Sequence, residues 1–152
     1  MKDLPYLNAA IKETMRLNPT IISTLPRVLD VPLTLPKAGI ALPAGTVVGM
    51  QNYVHHRDPT VYSDPHSFRP ERWLGLAPSS DMEKALTPFS LGSRNCIGQN
   101  LARAELLLAT SLLFRKLDLQ LNEEMKNDDM DMEDRFNIAP RGRKLLLNVR
   151  EL

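Results

Sequence analysis

Apolar residues Leu4, Leu7, Ile11 and Met15 recur at helical spacing as far as Leu17, which predicts a helix over residues 4–18. Pro5 suits its first turn and Pro19 stops it. Residues 21–29 and 39–49 are rich in Ile, Leu and Val and read as strands of a small sheet over 21–49, with turns at Pro32, Pro36, Pro43 and the Ala44-Gly45 pair. Residues 52–58 read as extended, so the neighbouring His55 and His56 are expected on opposite sides and poorly placed to chelate one metal. Residues 74–87 show little periodicity and read as an irregular loop. From 99 to 117 the chain is apolar around the whole girth of a long helix, most of which is expected to be buried. An acidic, turn-like stretch over 122–134 lacks the central glycine of a calcium loop. Two short apolar arms around a basic turn at 140–144 predict a closing hairpin over 135–150. The fold class expected is mainly α with small antiparallel β-sheets, an α+β arrangement rich in loops.

Composition narrows the field. A chain of 152 residues suits one domain, and its 12 prolines argue against a regular bundle or barrel. Lys and Arg number 19 against 18 Asp and Glu, which offers no basic face for nucleic acid and no disordered acidic character. A single cysteine excludes an internal disulfide framework and leaves a reducing compartment as the default. With three histidines besides, a zinc site is not expected. No long apolar run marks a membrane anchor, and the first residues lack a signal-peptide core.

Chemistry gathers around that cysteine. Phe89, Gly92, Arg94, Cys96 and Gly98 fit the pattern F-x-x-G-x-R-x-C-x-G, directly ahead of the long helix. Two glycines let backbone approach a flat ligand or turn with positive φ. A sulfur one turn ahead of a helix start faces free N–H groups and the positive end of the helix dipole. Arg94 adds positive charge or holds an anionic group of a ligand. Such a setting suits ligation of haem iron, although a lone cysteine is ordinarily a small buried hydrophobe.

The stretch PFSLGSRNCIGQNLARAE resembles the haem-binding loop of the cytochrome P-450 superfamily of haem-thiolate monooxygenases. The resemblance implies that Cys96 is the axial ligand of the iron of haem b, that Phe89 packs beside the sulfur, and that Arg94 binds a haem propionate. Two further landmarks fall in the family's order. Glu13-Thr14-Met15-Arg16 is similar to its E-x-x-R motif, and Phe68-Arg69-Pro70-Glu71-Arg72-Trp73 to its P-E-R-F element, with Trp in the last place. Alone, Glu and Arg three apart make an ordinary surface pair, and an Arg-Trp neighbour pair stacks at a surface. In the family's arrangement Glu13, Arg16 and Arg72 form a buried structural triad. Arg27 matches a second propionate-binding position, or is a strand-end arginine in water. Ile21, Ile22, Ser23, Thr24 and Leu25 match a substrate-lining stretch, though a plain core strand looks the same. His56-Arg57-Asp58-Pro59 resembles the start of a short structural helix.

By this resemblance the chain is the C-terminal part of the cytochrome P-450 fold, of a eukaryotic microsomal, fungal style, and its parent reaction oxidises a small lipophilic substrate with dioxygen. Electrons would come from NADPH through a reductase partner, at the endoplasmic reticulum membrane facing the cytosol. The string that carries the oxygen-activating acid and threonine is not found in these residues. Met1 stands directly before the helix of Glu13, so a truncated product or partial gene model is expected. The alternative is a non-catalytic fragment that binds haem weakly or serves only as an interaction surface.

Overall fold

The computed structural model describes residues 4–75, 80–126 and 128–152. Helix α1, Pro5–Leu17, opens on Pro5, whose missing N–H is no loss in a first turn, and Arg16 sits in its last turn. The amide of Asn18 closes it on the Thr14 carbonyl, just ahead of Pro19. Ala9, Glu13 and Arg16, spaced along one face, are its buried residues.

The sheet expected over 21–49 is smaller and divided. Strand β1, Arg27–Val28, pairs antiparallel with β4, Val47–Val48. Strand β2, Leu33–Leu35, pairs with β3, Ile40–Leu42, through a tight turn at Pro36–Ala38 that Gly39 ends with φ of 65°. Prolines at 32, 36 and 43 withhold N–H donors, which limits each ladder to two or three residues. The long strands read over 21–29 and 39–49 are thereby corrected.

His55 and His56 do not lie in a strand. A short helix α2, Asn52–His55, carries the first and ends at the second, so the 56–59 string follows this helix instead of starting one. Helix α3, Ser80–Ala85, interrupts the stretch read as an irregular loop; residues 76–79 of that stretch lie outside the described residues.

Helix α4, Gln99–Lys116, runs into β5, Leu117–Leu121. Strand β6, Met132–Glu133, pairs with β7, Ala139–Pro140, while β8, Leu147–Glu151, returns to β5. The two arms of the expected closing hairpin therefore each find another partner: the first pairs back onto the acidic stretch and the second onto the strand after α4. Arg141 lies between Asp131 at 3.5 Å and Glu133 at 3.3 Å, and Lys144 is 3.8 Å from Asp129, so opposite charge draws the basic turn against the acidic one.

Burial is concentrated between α1 and the turn at Pro70–Trp73. Ala9, Tyr62, Trp73 and Ala85 form the apolar cluster, with Val61, Leu74, Met82 and Leu86 against it. Helix α4 has no buried residue, contrary to the sequence expectation, and Leu101, Leu108, Leu112, Leu113 and Phe114 are exposed. Apolar character on every side requires neighbours on every side, and the contacts α4 makes with α1, β5 and the Phe89 segment leave much of its girth open.

Candidate functional site

Glu13 and Arg16 are both fully buried, at 0% exposure. One turn apart on α1, they meet as fork and carboxylate: Arg16 Nε donates to Glu13 Oε2 at 2.9 Å and Nη2 to Oε1 at 2.8 Å. Arg72 Nε adds a bond to Oε1 at 3.0 Å, as does the Arg69 amide at 3.0 Å. Trp73 Nε1 donates to Oε2 at 2.8 Å. Burial pushes the Glu13 carboxyl upward, but donors from Arg16, the Arg69 amide and Trp73 outweigh it and hold the group below its ordinary value. The structure brings Glu13, Arg16 and Arg72 together and adds Trp73, to which the sequence reading gave no part in the triad.

The remaining donors of the two arginines tie the loop that follows α2. Arg16 reaches the carbonyls of His56 at 2.9 Å, Pro65 at 2.7 Å and Ser67 at 3.2 Å, and Arg72 those of Ser63 and Asp64. An irregular loop needs such external partners for its carbonyls. Neighbouring Tyr62 is fully buried, donates to the Met82 carbonyl at 3.0 Å, and has its hydroxyl pushed up to about 12 by that burial.

From this frame the chain enters the cysteine loop. Thr87, buried, receives two side chains of the α2 region: His56 Nε2 accepts the Thr87 amide at 2.9 Å, and Asn52 Nδ2 donates to its carbonyl at 3.1 Å. The Ser90 amide bonds the Thr87 carbonyl, and the Cys96 amide bonds the Phe89 carbonyl at 2.8 Å, closing a loop across Gly92, whose φ is 71°. That positive φ is what a glycine here permits. Gly98 stands as the residue before α4, and a Cβ on it would rest 4.0 Å from Cys96 Sγ, so this glycine keeps the space beside the sulfur open. Phe89 lies under the Arg103 guanidinium, 5.4 Å from its ring centre.

Cys96 is exposed, as are Arg94 and Arg27. Ile97 next to the sulfur is entirely exposed at 102%, with Leu91 and Leu101 also open. A soft sulfur donor, guanidinium groups and bare apolar side chains on the accessible surface fit a flat apolar macrocycle that carries iron and carboxylates. A separate cleft of about 650 Å³ is lined by Ile21, Ser23, Leu25, Arg27, Ser90 and Leu91, among others. Ile22 and Thr24 do not line it. Thr24 instead packs on Gly49, where an added Cβ would come within 2.1 Å of its methyl group. Arg27 donates to the Pro26 carbonyl at 2.8 Å. Among the described residues no group of three or more His, Cys, Asp or Glu could hold a metal ion.

Three comparisons bear on this arrangement. The cytochrome P-450 family model matches residues 1–147. A cytochrome P-450 monooxygenase of Aspergillus niger is 39% identical over 98% of this chain and 30% of its own length. An N-acetyltryptophan 6-hydroxylase of Emericella nidulans is 38% identical over 93% of the chain and 28% of its own length. The solved structure of retinoic acid-bound cyanobacterial CYP120A1 superposes with a TM-score of 0.84 at 28% identity, over 99% of this chain and 34% of that one. The chain belongs to the cytochrome P-450 family, a haem-dependent family of monooxygenases, and its mixed helix and small-sheet fold is the one expected. It spans about 30% of the length of the curated relatives it matches.

Proposed function

We propose that this chain is the haem-holding C-terminal portion of a cytochrome P-450 monooxygenase that oxidises a small lipophilic organic substrate, with Cys96 as axial ligand of the iron of haem b. The observation that carries the reading is the loop itself: the Cys96 amide is tied back to the Phe89 carbonyl, and its side chain is exposed ahead of α4. Arg94 and Arg27, exposed and cationic, are assigned to the haem carboxylates, and Gly92 and Gly98 to the turn and the close approach. When bound, haem supplies the oxygen chemistry of the family. The protein's part is to present the sulfur, fix the carboxylates and exclude water with apolar side chains. Ile21, Ser23 and Leu25 support a lipophilic pocket by lining the cleft beside Ser90 and Leu91. Electrons are assigned to NADPH through a reductase, and the setting to the cytosolic face of the endoplasmic reticulum, both by family membership. Among the described residues no helix is long and apolar enough to cross a membrane.

The test is spectroscopic. Purified chain loaded with haemin and reduced under carbon monoxide is expected to show the red-shifted Soret band of thiolate ligation, and Cys96→Ala to lose it. Retention of the band in Cys96→Ala removes the assignment. Exposure of the apolar girth of α4 favours weak haem retention, and turnover by this chain with a reductase is expected to be negligible.

A further inference from the structure

Two features of the molecule, the buried ion network and the cysteine loop, are far apart in sequence, and one side chain joins them. His56 is fully buried, its carbonyl accepts Arg16 Nη1 at 2.9 Å, and its ring accepts the Thr87 amide at 2.9 Å. Thr87 is clasped again by Asn52, which donates Nδ2 to the Thr87 carbonyl and accepts the Thr87 hydroxyl, both at 3.1 Å. From Thr87 the bonding continues: its carbonyl accepts the Ser90 amide at 3.0 Å, and one residue earlier the Phe89 carbonyl accepts the Cys96 amide at 2.8 Å. We infer that His56, with Asn52, is a positioning residue for the cysteine loop, transmitting the rigidity of the Glu13–Arg16 pair to the backbone that presents Cys96.

The chemistry of the ring supports that role. An amide donor at Nε2 requires a lone pair there, so the neutral ring carries its proton on Nδ1, which is buried with no hydrogen-bond partner among the described residues. A buried ring with one bare N–H is a costly choice for a core. An aliphatic side chain would fill the same space without that cost but would leave the Thr87 amide unpaired instead. The groups facing the ring are His55, whose ring centre is 5.9 Å away, with Arg16 and Arg57, all cations or potential cations that favour the neutral, accepting form. Why the loop needs a fixed entry rests on the proposed role of Cys96 as iron ligand; the hydrogen-bonded connection stands apart from it.

Amide hydrogen exchange on the full chain without haem tests the connection, with the Trp73 indole N–H as an internal report on the ion network. His56→Gln places an amide oxygen near the Nε2 position, whereas His56→Asn is one methylene too short. The expected result is exchange at the Thr87 and Cys96 amides at least tenfold faster in His56→Asn and within twofold of the parent in His56→Gln, the Trp73 indole changing less than twofold in both. Should His56→Asn fail to fold, Asn52→Ala, which opens the other half of the clasp, is read in the same way. A Cys96 amide that keeps its parent rate while Thr87 accelerates overturns the inference, as does uniform acceleration including the Trp73 indole. In the haemin-loaded proteins, the thiolate-type band is expected to weaken in His56→Asn and return in His56→Gln. If Cys96→Ala keeps that band, the ligand assignment fails and the exchange result still decides the role of His56.

Discussion

Trp73 donates its indole N–H to Glu13 Oε2 at 2.8 Å, so a ring sixty residues downstream completes the coordination of a carboxylate on the first helix. With the Arg16 fork, the Arg69 amide and Arg72, both Glu13 oxygens are occupied by donors. The carboxylate is thus the hub on which α1, the loop after α2 and the Pro70–Trp73 turn converge.

Removing parts of the hub should cost unequal amounts. Trp73→Phe keeps the ring volume but withdraws one donor from a charged acceptor, an expected loss of about 1–3 kcal/mol. Glu13→Gln leaves the wholly buried Arg16 without its counter-charge and is expected to cost about 3–5 kcal/mol. Urea unfolding followed by circular dichroism measures both, and equal losses would contradict the hub.

Acid should destabilise the fold in two stages. Burial, reinforced by the nearby His55, lowers His56 from 6.5 to about 4. Between those values the unfolded chain binds a proton that the folded chain refuses, so stability falls as pH drops from about 6.5 to about 4, by on the order of 3 kcal/mol in full. Glu13 is held below 4.5 in the folded state, so its contribution is present above that value and is lost as pH falls further, through the lowered value. Unfolding midpoints measured from about pH 7 downward should decline in that order, and His56→Gln should flatten the first stage. A parent midpoint constant through the first stage would refute the His56 contribution.

Gly49→Ala should disturb the cleft wall. The new methyl would meet Thr24 Cγ2 at 2.1 Å and the Leu25 carbonyl oxygen at 3.3 Å, an overpacking expected to cost about 1–3 kcal/mol. Pairing it with Thr24→Ala removes the closer clash and should recover most of the loss. If the double variant is as unstable as Gly49→Ala alone, the Thr24 contact is not its origin.

Much of the architecture was legible because it is written locally. Proline punctuation and the apolar spacing of α1 set its bounds within a residue, and the Glu13, Arg16 and Arg72 grouping followed from family resemblance. What escaped depends on partners distant in sequence. The arms of the expected hairpin each carry an ordinary strand pattern, and nothing local says that 139–140 pairs with 132–133 or 147–151 with 117–121. His56 read only as one of two neighbouring histidines on opposite sides of an extended segment, because its burial comes from contacts around Arg16 and Thr87. Trp73 gave a usable signal: an indole in the core needs an acceptor for its N–H, and Glu13 was already placed nearby.

Helix α1 and helix α4 are bound into the molecule by different means, and warming should separate them. The first is riveted through Glu13 and Arg16 to three loop segments; the second contributes no buried side chain. Its amides should therefore open at far lower free energy than those of α1, which makes the helix that follows the cysteine loop the first to fray and the ion hub the last to melt.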